Sequence, residues 1–543
     1  MAPRDPHRFD AVVIGAGHNG LTCAAYLARA GLRVCVLERR AIVGGAAVTE
    51  EFRPGFRNST ASYTVSLLDP QVIRDLRLAA HGLTIVERPL SNFLPIDDRA
   101  YLKVGGGIAA TQAEVAKFSR ADAQALPAYY AMLDRVAEVL RSMLHVTPPN
   151  VGGGVHAMVD ALKVARPFRR LELAAQRDVL DLFTKSAGEI LDRWFASDPI
   201  KAAFGFDAVV GNFQSPYAPG SAYVLLHHVF GEVNGKRGQW GHARGGMGAI
   251  TQAMAAECAA RGVTIRTQAA VRRVLIGAKR VRGVELDDGE VVEAPRVVAN
   301  VNPKLLFDEL VDADHLDADF RARIAGYRCA SGTFRMNVAL AELPDFTALP
   351  GKVPAPHHAS GIIIAPSLRY MERAYFSARE HGWSTAPIVE VLIPSVVDDS
   401  LAPAGQHVAS LFCQHVHPRI ETIRPGGTWD DFRDDVADLM IDTVNRVAPN
   451  FKASVLGRRS LTPLDLEREL GLVGGDIFHG ALGLDQLFSA RPVLGHADYR
   501  MPIRNLYLCG SGAHPGGGVT GIPGRNAARE ILRDVRRPRR RWK

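Results

Sequence analysis

The sequence lacks the features that mark several classes of protein. Its 543 residues include six cysteines, and no two of them form a Cys-x-x-Cys pair, so neither a redox dithiol nor a zinc site is expected. No apolar run approaches the roughly 18 residues that a membrane-spanning helix needs. The N-terminal residues 1–8 contain no apolar core like that of a secretory signal peptide. We therefore expect a cytoplasmic protein without a metal site, for which peripheral contact with a membrane stays open.

Basic residues outnumber acidic ones, but most of the excess lies at the C-terminus. The net charge is +8, and residues 533–543 contribute +6 of it through seven basic residues and one acid. We interpret residues 536–543 as a basic, disordered tail. No basic patch interleaved with aromatic residues occurs elsewhere, so the sequence does not indicate a nucleic-acid-binding protein.

The N-terminal region has the pattern of a dinucleotide-binding unit. The apolar strand at residues 9–14 precedes a Gly-x-Gly-x-x-Gly turn formed by Gly15, Gly17 and Gly20; a helix and a second apolar strand ending at Glu38 follow. The glycines allow a tight turn, a close approach of the backbone to a pyrophosphate, and close packing of the helix on the strand. The helix N-terminus favours phosphate, and the Glu38 carboxylate can accept hydrogen bonds from an adenosine ribose. We therefore predict a bound dinucleotide.

Glycines recur in later segments that each adjoin a predicted strand or helix. The pair Gly44-Gly45 allows the chain to fold back over the dinucleotide, and residues 245–248 (Gly-Gly-Met-Gly) precede a helix. Residues 510–521 contain six glycines between an apolar strand and a final helix. NAD-binding domains are usually contiguous, whereas a domain whose last strand and helix return to the site is typical of FAD. We therefore expect FAD as the cofactor.

We expect an α/β fold in which a discontinuous Rossmann-type FAD-binding domain carries an inserted mixed α+β substrate domain. The FAD-binding domain is assigned to residues 8–70, 240–304 and 496–535, and the substrate-binding domain to residues 71–239 and 305–495. In the inserted parts we expect a helix over residues 113–146 that is broken near Pro127. Further expected elements are strands at 334–340, 361–365, 388–393 and 407–413, and helices at 428–447 and 463–470.

These segments resemble the phytoene desaturase and carotenoid oxidoreductase family of FAD-dependent proteins. The resemblance is carried by G-A-G-H-N-G-L from Gly15, E-R-R-A-I-V-G-G-A-A from Glu38, R-G-G-M-G-A-I from Arg244, and L-Y-L-C-G-S-G-A-H-P-G-G-G-V from Leu506. The last motif also resembles the FAD-type carotene ketolases, a sister branch. The resemblance implies that FAD contacts Gly15, Gly17, Gly20, Glu38, Arg39, Gly44, Gly45, Gly246, Met247, Gly248, Val271, Gly510, Ser511, Gly517, Gly518 and Val519.

Oxidation of a C–H bond by a flavin needs orientation, exclusion of water and charge tuning, and no catalytic side chain is obligatory. His514, which lies beside the final glycines, and His479 with Asp485 in the preceding segment are the candidate proton acceptors. Packing or orienting roles are the alternative for all three residues.

Our leading hypothesis is an FAD-dependent oxidoreductase of the dehydrogenase or desaturase type. It would oxidise a C–H or C–C unit of a large, lipophilic small-molecule substrate by hydride transfer to flavin N5. The alternatives are a carotenoid-type ketolase or isomerase on the same fold, and a flavoprotein with a mainly binding or regulatory role. The sequence identifies neither the substrate, nor the electron acceptor (quinone, oxygen or other), nor the oligomeric state.

Overall fold

The structure is a computed structural model that describes residues 8–150, 152–226 and 229–536. The predicted tail lies outside the described residues except for its first residue, Arg536. Among the helices in these ranges, none combines the length and the apolar character that crossing a membrane requires.

The strands, in chain order, are β1 (Ala11–Ile14), β2 (Val34–Leu37), β3 (Thr49–Arg53), β4 (Phe56–Ser59), β5 (Ile85–Glu87), β6 (Asn92–Pro95), β7 (Tyr101–Val104), β8 (Glu232–Val233), β9 (Lys236–Arg237), β10 (Gly241–Ala243), β11 (Thr264–Arg266), β12 (Val271–Gly277), β13 (Arg280–Leu286), β14 (Val291–Glu293), β15 (Val297–Ala299), β16 (Phe334–Leu340), β17 (Gly361–Ile364), β18 (Trp383–Leu392), β19 (His407–Val416), β20 (Val455–Leu461) and β21 (Leu506–Leu508).

The α-helices are α1 (His18–Arg29), α2 (Pro70–Asp75), α3 (Ile108–Val115), α4 (Arg120–Leu144), α5 (Gly154–Arg169), α6 (Leu173–Thr184), α7 (Ala187–Trp194), α8 (Asp198–Val209), α9 (Ala222–Leu225), α10 (Gly248–Ala260), α11 (Ala318–Ala325), α12 (Leu368–His381), α13 (Trp429–Asn445), α14 (Phe451–Ser454), α15 (Pro463–Leu470) and α16 (Ile522–Arg536).

A five-stranded parallel sheet in the order β11-β2-β1-β15-β21 joins three segments that lie far apart in the sequence. Every residue of β1, β2, β15 and β21 is buried, as expected for parallel strands with both faces covered. Helices α1 and α16 pack so closely that a Cβ atom on Gly524 would lie 2.1 Å from Asn19 O. This sheet is the centre of a discontinuous Rossmann-type domain, as the glycine motifs predict.

A seven-stranded mixed sheet in the order β20-β16-β19-β18-β17-β6-β7 forms the centre of the inserted part. Its neighbouring residues point to opposite faces: Ile363 and Phe412 join a core with α4, α7 and α8, whereas Ile362 and Leu411 join a core with α13. The fold class is therefore the predicted α/β arrangement with a mixed α+β insertion. The exact domain boundaries stay a prediction.

The expected break in the first long helix is misplaced, because the chain breaks between α3 and α4 and continues helically through Pro127. Proline lacks the N–H that would bond to the carbonyl of residue 123. In the structure Gln112 Nε2 donates to this Ala123 carbonyl at 2.8 Å. A side chain from α3 thus replaces the missing backbone hydrogen bond, and the helix continues.

Candidate cofactor and substrate site

The glycine turn after β1 packs against one side chain, Asn300, which follows β15. Asn300 Nδ2 donates to Gly15 O at 3.2 Å, and its backbone N–H donates to Ile14 O at 2.8 Å. A Cβ atom on Gly17 would lie 2.9 Å from Asn300 Nδ2, and one on Gly20 would lie 2.2 Å from Gly15 O. Any larger residue at these positions would push α1 away from the sheet.

The first turn of α1 is open to a ligand. Its N-cap residue, Gly17, offers no side-chain cap, so the first backbone N–H groups and the positive end of the helix dipole remain available. Glu38, which follows β2 and is 6% exposed, lies beside this turn. Its Oε2 accepts from the backbone of Ala16 at 2.8 Å and its Oε1 from that of Arg40 at 2.9 Å. Both carboxylate oxygens keep lone pairs that a ribose hydroxyl can use.

The chain after Glu38 returns across the glycine turn. Gly44 forms a bridge with Gly17 and donates its N–H to Ala16 O at 2.9 Å, and Gly45 packs against the Gly17 backbone. Arg39 reaches in the other direction, where its Nη2 donates to Arg468 O at 3.1 Å.

A cavity, here called the cofactor cavity, opens at the carboxyl ends of the parallel strands. This edge of an open parallel sheet is where such folds bind their ligands. Of the residues predicted to contact FAD, those that line it are Gly15, Gly17, Glu38, Arg39, Gly45, Val271 and Ser511. The glycine cradle, the uncapped helix and the buried carboxylate together fit a dinucleotide.

The second glycine motif, Gly246-Met247-Gly248, lies behind the β3–β4 hairpin. The N–H of Met247 donates to Ser59 Oγ at 3.0 Å, and the N–H of Gly248 donates to Thr49 Oγ1 at 2.9 Å. These three residues are not among those that line the cofactor cavity, and their contact with FAD stays a prediction.

The C-terminal turn connects the cofactor cavity to a second one, here called the substrate cavity. Gly518 and Val519 line the substrate cavity, and Val519 has φ +56°, a conformation that is uncommon for β-branched residues and often occurs at functional sites. Gly510 packs against Asn300 and Gly517 against Phe478.

Four residues line both cavities: His18, Ala46, His479 and Ser511. The Ser511 hydroxyl accepts from Asn19 Nδ2 at 3.2 Å, which ties the final turn to α1. The two cavities therefore meet at the point where the first and last glycine turns converge.

His479 is the candidate proton acceptor that the structure places at this junction. Its buried Nδ1 has no hydrogen-bond partner among the described residues. Burial, followed by the nearby charge of Arg491, lowers the pKa of His479 to about 4. His18 lies beside it, and burial, followed by the charge that His479 would carry, lowers the pKa of His18 to about 3. Both imidazoles are therefore neutral near pH 7.

The other two candidates lie outside the junction. His514 Nε2 donates to the Met143 carbonyl of α4 at 3.0 Å, and burial is the main cause that lowers the pKa of His514 to about 4. Asp485 is exposed and pairs with Arg328, with Oδ1 and Nη2 separated by 2.7 Å. Neither residue is among those lining the two cavities, and these contacts favour a packing role for His514 and a surface ion pair for Asp485.

Arg491 connects the loop that contains His479 to the glycine-rich turn of residues 510–521. It is fully buried, and its guanidinium donates to Ser511 O at 2.8 Å, to Phe478 O at 2.7 Å and to Gln486 O at 3.2 Å. Sequence reasoning missed Arg491, His18 and Asn300 as residues of the site. The position of Asn300, directly after a buried strand, is the one signal that pointed toward the site.

Comparison with known proteins agrees with this geometry. A family model described as flavin containing amine oxidoreductase matches residues 20–332. Pyridine nucleotide-disulfide oxidoreductase domain-containing protein 2 of Rattus norvegicus is 43% identical over an alignment that covers 97% of this chain and 94% of that protein. Phytoene desaturase (lycopene-forming) of Pantoea ananas is 25% identical, with 94% and 96% covered. The structure of putrescine oxidase bound to putrescine superposes with a TM-score of 0.60 at 15% identity, with 97% and 99% covered, which shows a shared fold. The predicted resemblance and the FAD cofactor are confirmed.

Replacement of Glu38 tests the adenosine end of the cofactor cavity. We expect Glu38→Ala to weaken FAD retention about 10- to 100-fold, because hydrogen bonds to a charged group are worth about 1.5–3 kcal/mol. Glu38→Gln keeps one acceptor oxygen, so its FAD retention should lie between that of Glu38→Ala and that of the wild type. The measurement is the FAD-to-protein ratio after gel filtration, with circular dichroism to check the fold.

Glu293→Ala, at an exposed strand end, is the matched control and should retain FAD like the wild type. A Glu38→Ala protein that keeps its full complement of FAD would show that this carboxylate does not hold the cofactor.

Proposed function

Because the chain belongs to the flavin-containing amine oxidoreductase family, we propose that it is a dehydrogenase or desaturase acting on a large, lipophilic substrate. The observation that carries the proposal is the junction of the cofactor and substrate cavities at His18, Ala46, His479 and Ser511. A substrate in one cavity can meet FAD in the other without passing through bulk solvent. The substrate bond that we propose for oxidation is a C–H or C–C unit.

When bound, FAD supplies the acceptor for a hydride, at N5 of its flavin ring. The residues of the chain orient the substrate and exclude water. Phe206, Phe412 and Phe478 line the substrate cavity and are each buried, with 2%, 1% and 5% of their surface exposed. Such walls suit an apolar chain or ring. The sequence has no Cys-x-x-Cys pair, so the proposal does not include disulfide reduction.

We propose His479 as the base that takes the proton lost by the substrate along with the hydride. The buried, unpartnered Nδ1 can accept a proton. Because burial holds the pKa of His479 at about 4, the neutral, accepting form is present near pH 7 and is lost only as the pH falls toward 4. Removal of one hydride and one proton leaves a new double bond in the product.

Contact with a membrane surface is the second part of the proposal, and exposed side chains of α5 and α6 support it. Val155, Met158, Val159 and Leu162 follow the i, i+3, i+4, i+7 spacing of one helix face and are 69%, 61%, 43% and 62% exposed. Residues 154–180, which cover α5 and most of α6, include five basic residues and three acidic ones. An exposed apolar stripe beside basic residues is typical of helices that lie in an anionic lipid surface.

Anaerobic mixing of the FAD-loaded protein with polyene and acyl substrates tests the reaction. We expect the visible flavin bands to bleach and the product to lose two hydrogens by mass. His479→Gln should slow bleaching about 100- to 10,000-fold, the usual contribution of a general base. His381→Gln is the matched control, since His381 is exposed at the end of α12. The flavin of this variant should bleach at the wild-type rate.

Other products would overturn the proposal in defined ways. Oxygen incorporated into the product would indicate a ketolase, and a product of unchanged mass would indicate an isomerase. FAD-loaded protein that none of these substrates bleaches would favour a binding or regulatory role.

Sedimentation with lipid vesicles tests the membrane contact. We expect the protein to co-sediment with vesicles of phosphatidylcholine and phosphatidylserine, and less with phosphatidylcholine alone. Met158→Glu/Leu162→Glu should release it, because each change places a charge in the apolar stripe. The control Val353→Glu/Phe376→Glu changes apolar residues that are 77% and 50% exposed elsewhere and should leave sedimentation unchanged. Equal sedimentation of both double variants would argue against this stripe as the lipid contact.

A further inference from the structure

The substrate cavity contains charged side chains that recognition of a pure hydrocarbon does not require. Arg88, Asp207 and Glu390 line it together with Tyr63 and the apolar residues. Arg88 is 8% exposed and Glu390 is 6% exposed. Burial of an ionised group is costly unless the group is paired or hydrogen-bonded. Charged groups maintained in such a cavity therefore indicate a polar group on the ligand.

The guanidinium of Arg88 keeps donors available to the cavity. Its Nη2 donates to Thr64 Oγ1, and its Cζ lies 5.8 Å from the centre of the Trp240 ring. Among the described residues, the guanidinium forms no ion pair within 4.0 Å, although Glu390 and Tyr63 lie near enough to interact with its charge. The backbone of Arg88 is fixed, since its N–H donates to Trp240 O at 3.0 Å and its carbonyl accepts from Gln239 Nε2 at 2.9 Å.

Two carboxyls, those of Glu390 and Asp207, lie on the same wall as Arg88, and the charge of Glu390 interacts with that of Arg88. Glu390 Oε2 accepts from the Tyr63 hydroxyl at 2.6 Å, and burial raises the pKa of Glu390. Burial, followed by the charge of Glu390, holds the pKa of Asp207 well above its usual range. A second guanidinium, that of Arg335, stacks on the Tyr63 ring with its Cζ 4.4 Å from the ring centre. Arginine keeps its proton, whereas burial favours the neutral, protonated form of both carboxyls. With those carboxyls protonated, the wall is complementary to an anion.

We infer that the substrate is an amphiphile with a carboxylate, and that Arg88 binds this carboxylate inside the substrate cavity. The inference rests on the proposed function, because it names the substrate class of the same cavity. A guanidinium binds a carboxylate through two parallel N–H···O bonds, from Nη2 together with either Nε or Nη1. Nη2 of Arg88 has a second hydrogen besides the one that it donates to Thr64 Oγ1. The apolar part of the substrate would pack against Phe206, Phe412 and Phe478, whereas a hydrocarbon would leave Arg88 unpaired.

Titration of the FAD-loaded protein with three probes of equal chain length tests the inference. Octanoate should perturb the visible flavin spectrum saturably, and octylamine and octan-1-ol should bind at least 10-fold more weakly. Arg88→Gln should weaken octanoate binding at least 10-fold, because the lost hydrogen bonds join two charged groups. Arg88→Lys keeps the positive charge but lacks the paired N–H donors of a guanidinium, so its octanoate affinity should lie between those of the wild type and Arg88→Gln.

Arg244→Gln is the matched control, since Arg244 lies on the neighbouring segment in an exposed ion pair with Asp399. It should bind octanoate like the wild type. Tighter binding of octylamine than octanoate, unchanged binding by Arg88→Gln, or a flavin spectrum that octanoate does not perturb would each overturn the inference. If an uncharged substrate bleached the flavin and octanoate did not perturb its spectrum, the proposed reaction would be supported. The inference that the substrate has a carboxylate would then be wrong.

Discussion

The site depends on the close packing of glycine backbone against a single asparagine side chain. Asn300 follows the central strand β15, and it contacts the turn after β1 through Gly15 and Gly17 and the turn after β21 through Gly510. The parallel pairing of β15 with both strands brings these turns together although they are almost 500 residues apart in the sequence. A Cβ atom at any of these glycines would meet Asn300 at 2.9–3.1 Å, tighter than most Cβ contacts, so the position of α1 is set by the absence of side chains.

A buried arginine fixes the other side of the junction. Arg491 binds backbone carbonyls from the His479 loop and from Ser511, and it bonds to no carboxylate among the described residues. Carbonyl dipoles thus compensate a full positive charge that the interior would otherwise disfavour. The charge also contributes to keeping His479 neutral. The group that orders the loop therefore also sets the protonation state that a proton acceptor at this position needs.

The local pattern of the sequence predicted much of the fold. The strand β16 and the helix α15 have the predicted ends, because alternation, apolar runs and a Pro-initiated helix are local signals. Most of the parallel sheet was also predictable, since β1, β2 and β21 are apolar runs next to glycines and β15 is an apolar run. The helix break was placed wrongly at Pro127, because the compensating hydrogen bond comes from Gln112 on another helix.

The site was predicted less completely than the fold. Gly15, Gly17, Gly20 and Glu38 were predictable, because the spacing of the dinucleotide-binding motif reflects the backbone geometry of the strand, turn and helix. His18, Arg88 and Arg491 are ordinary residues in the sequence, and their importance arises only when tertiary packing buries them beside the cavities. Gly246 and Gly248 have a fingerprint-like pattern, yet they pack against the β3–β4 hairpin.

The central claim is that one discontinuous FAD site meets a substrate cavity at His18, Ala46, His479 and Ser511. A crystal structure of the FAD-loaded protein tests it most directly. The account predicts electron density for the adenosine at Glu38, for the pyrophosphate at the start of α1, and for the flavin ring at the four shared residues. Density that places the flavin ring at Glu38, or outside the junction of the two cavities, would contradict it.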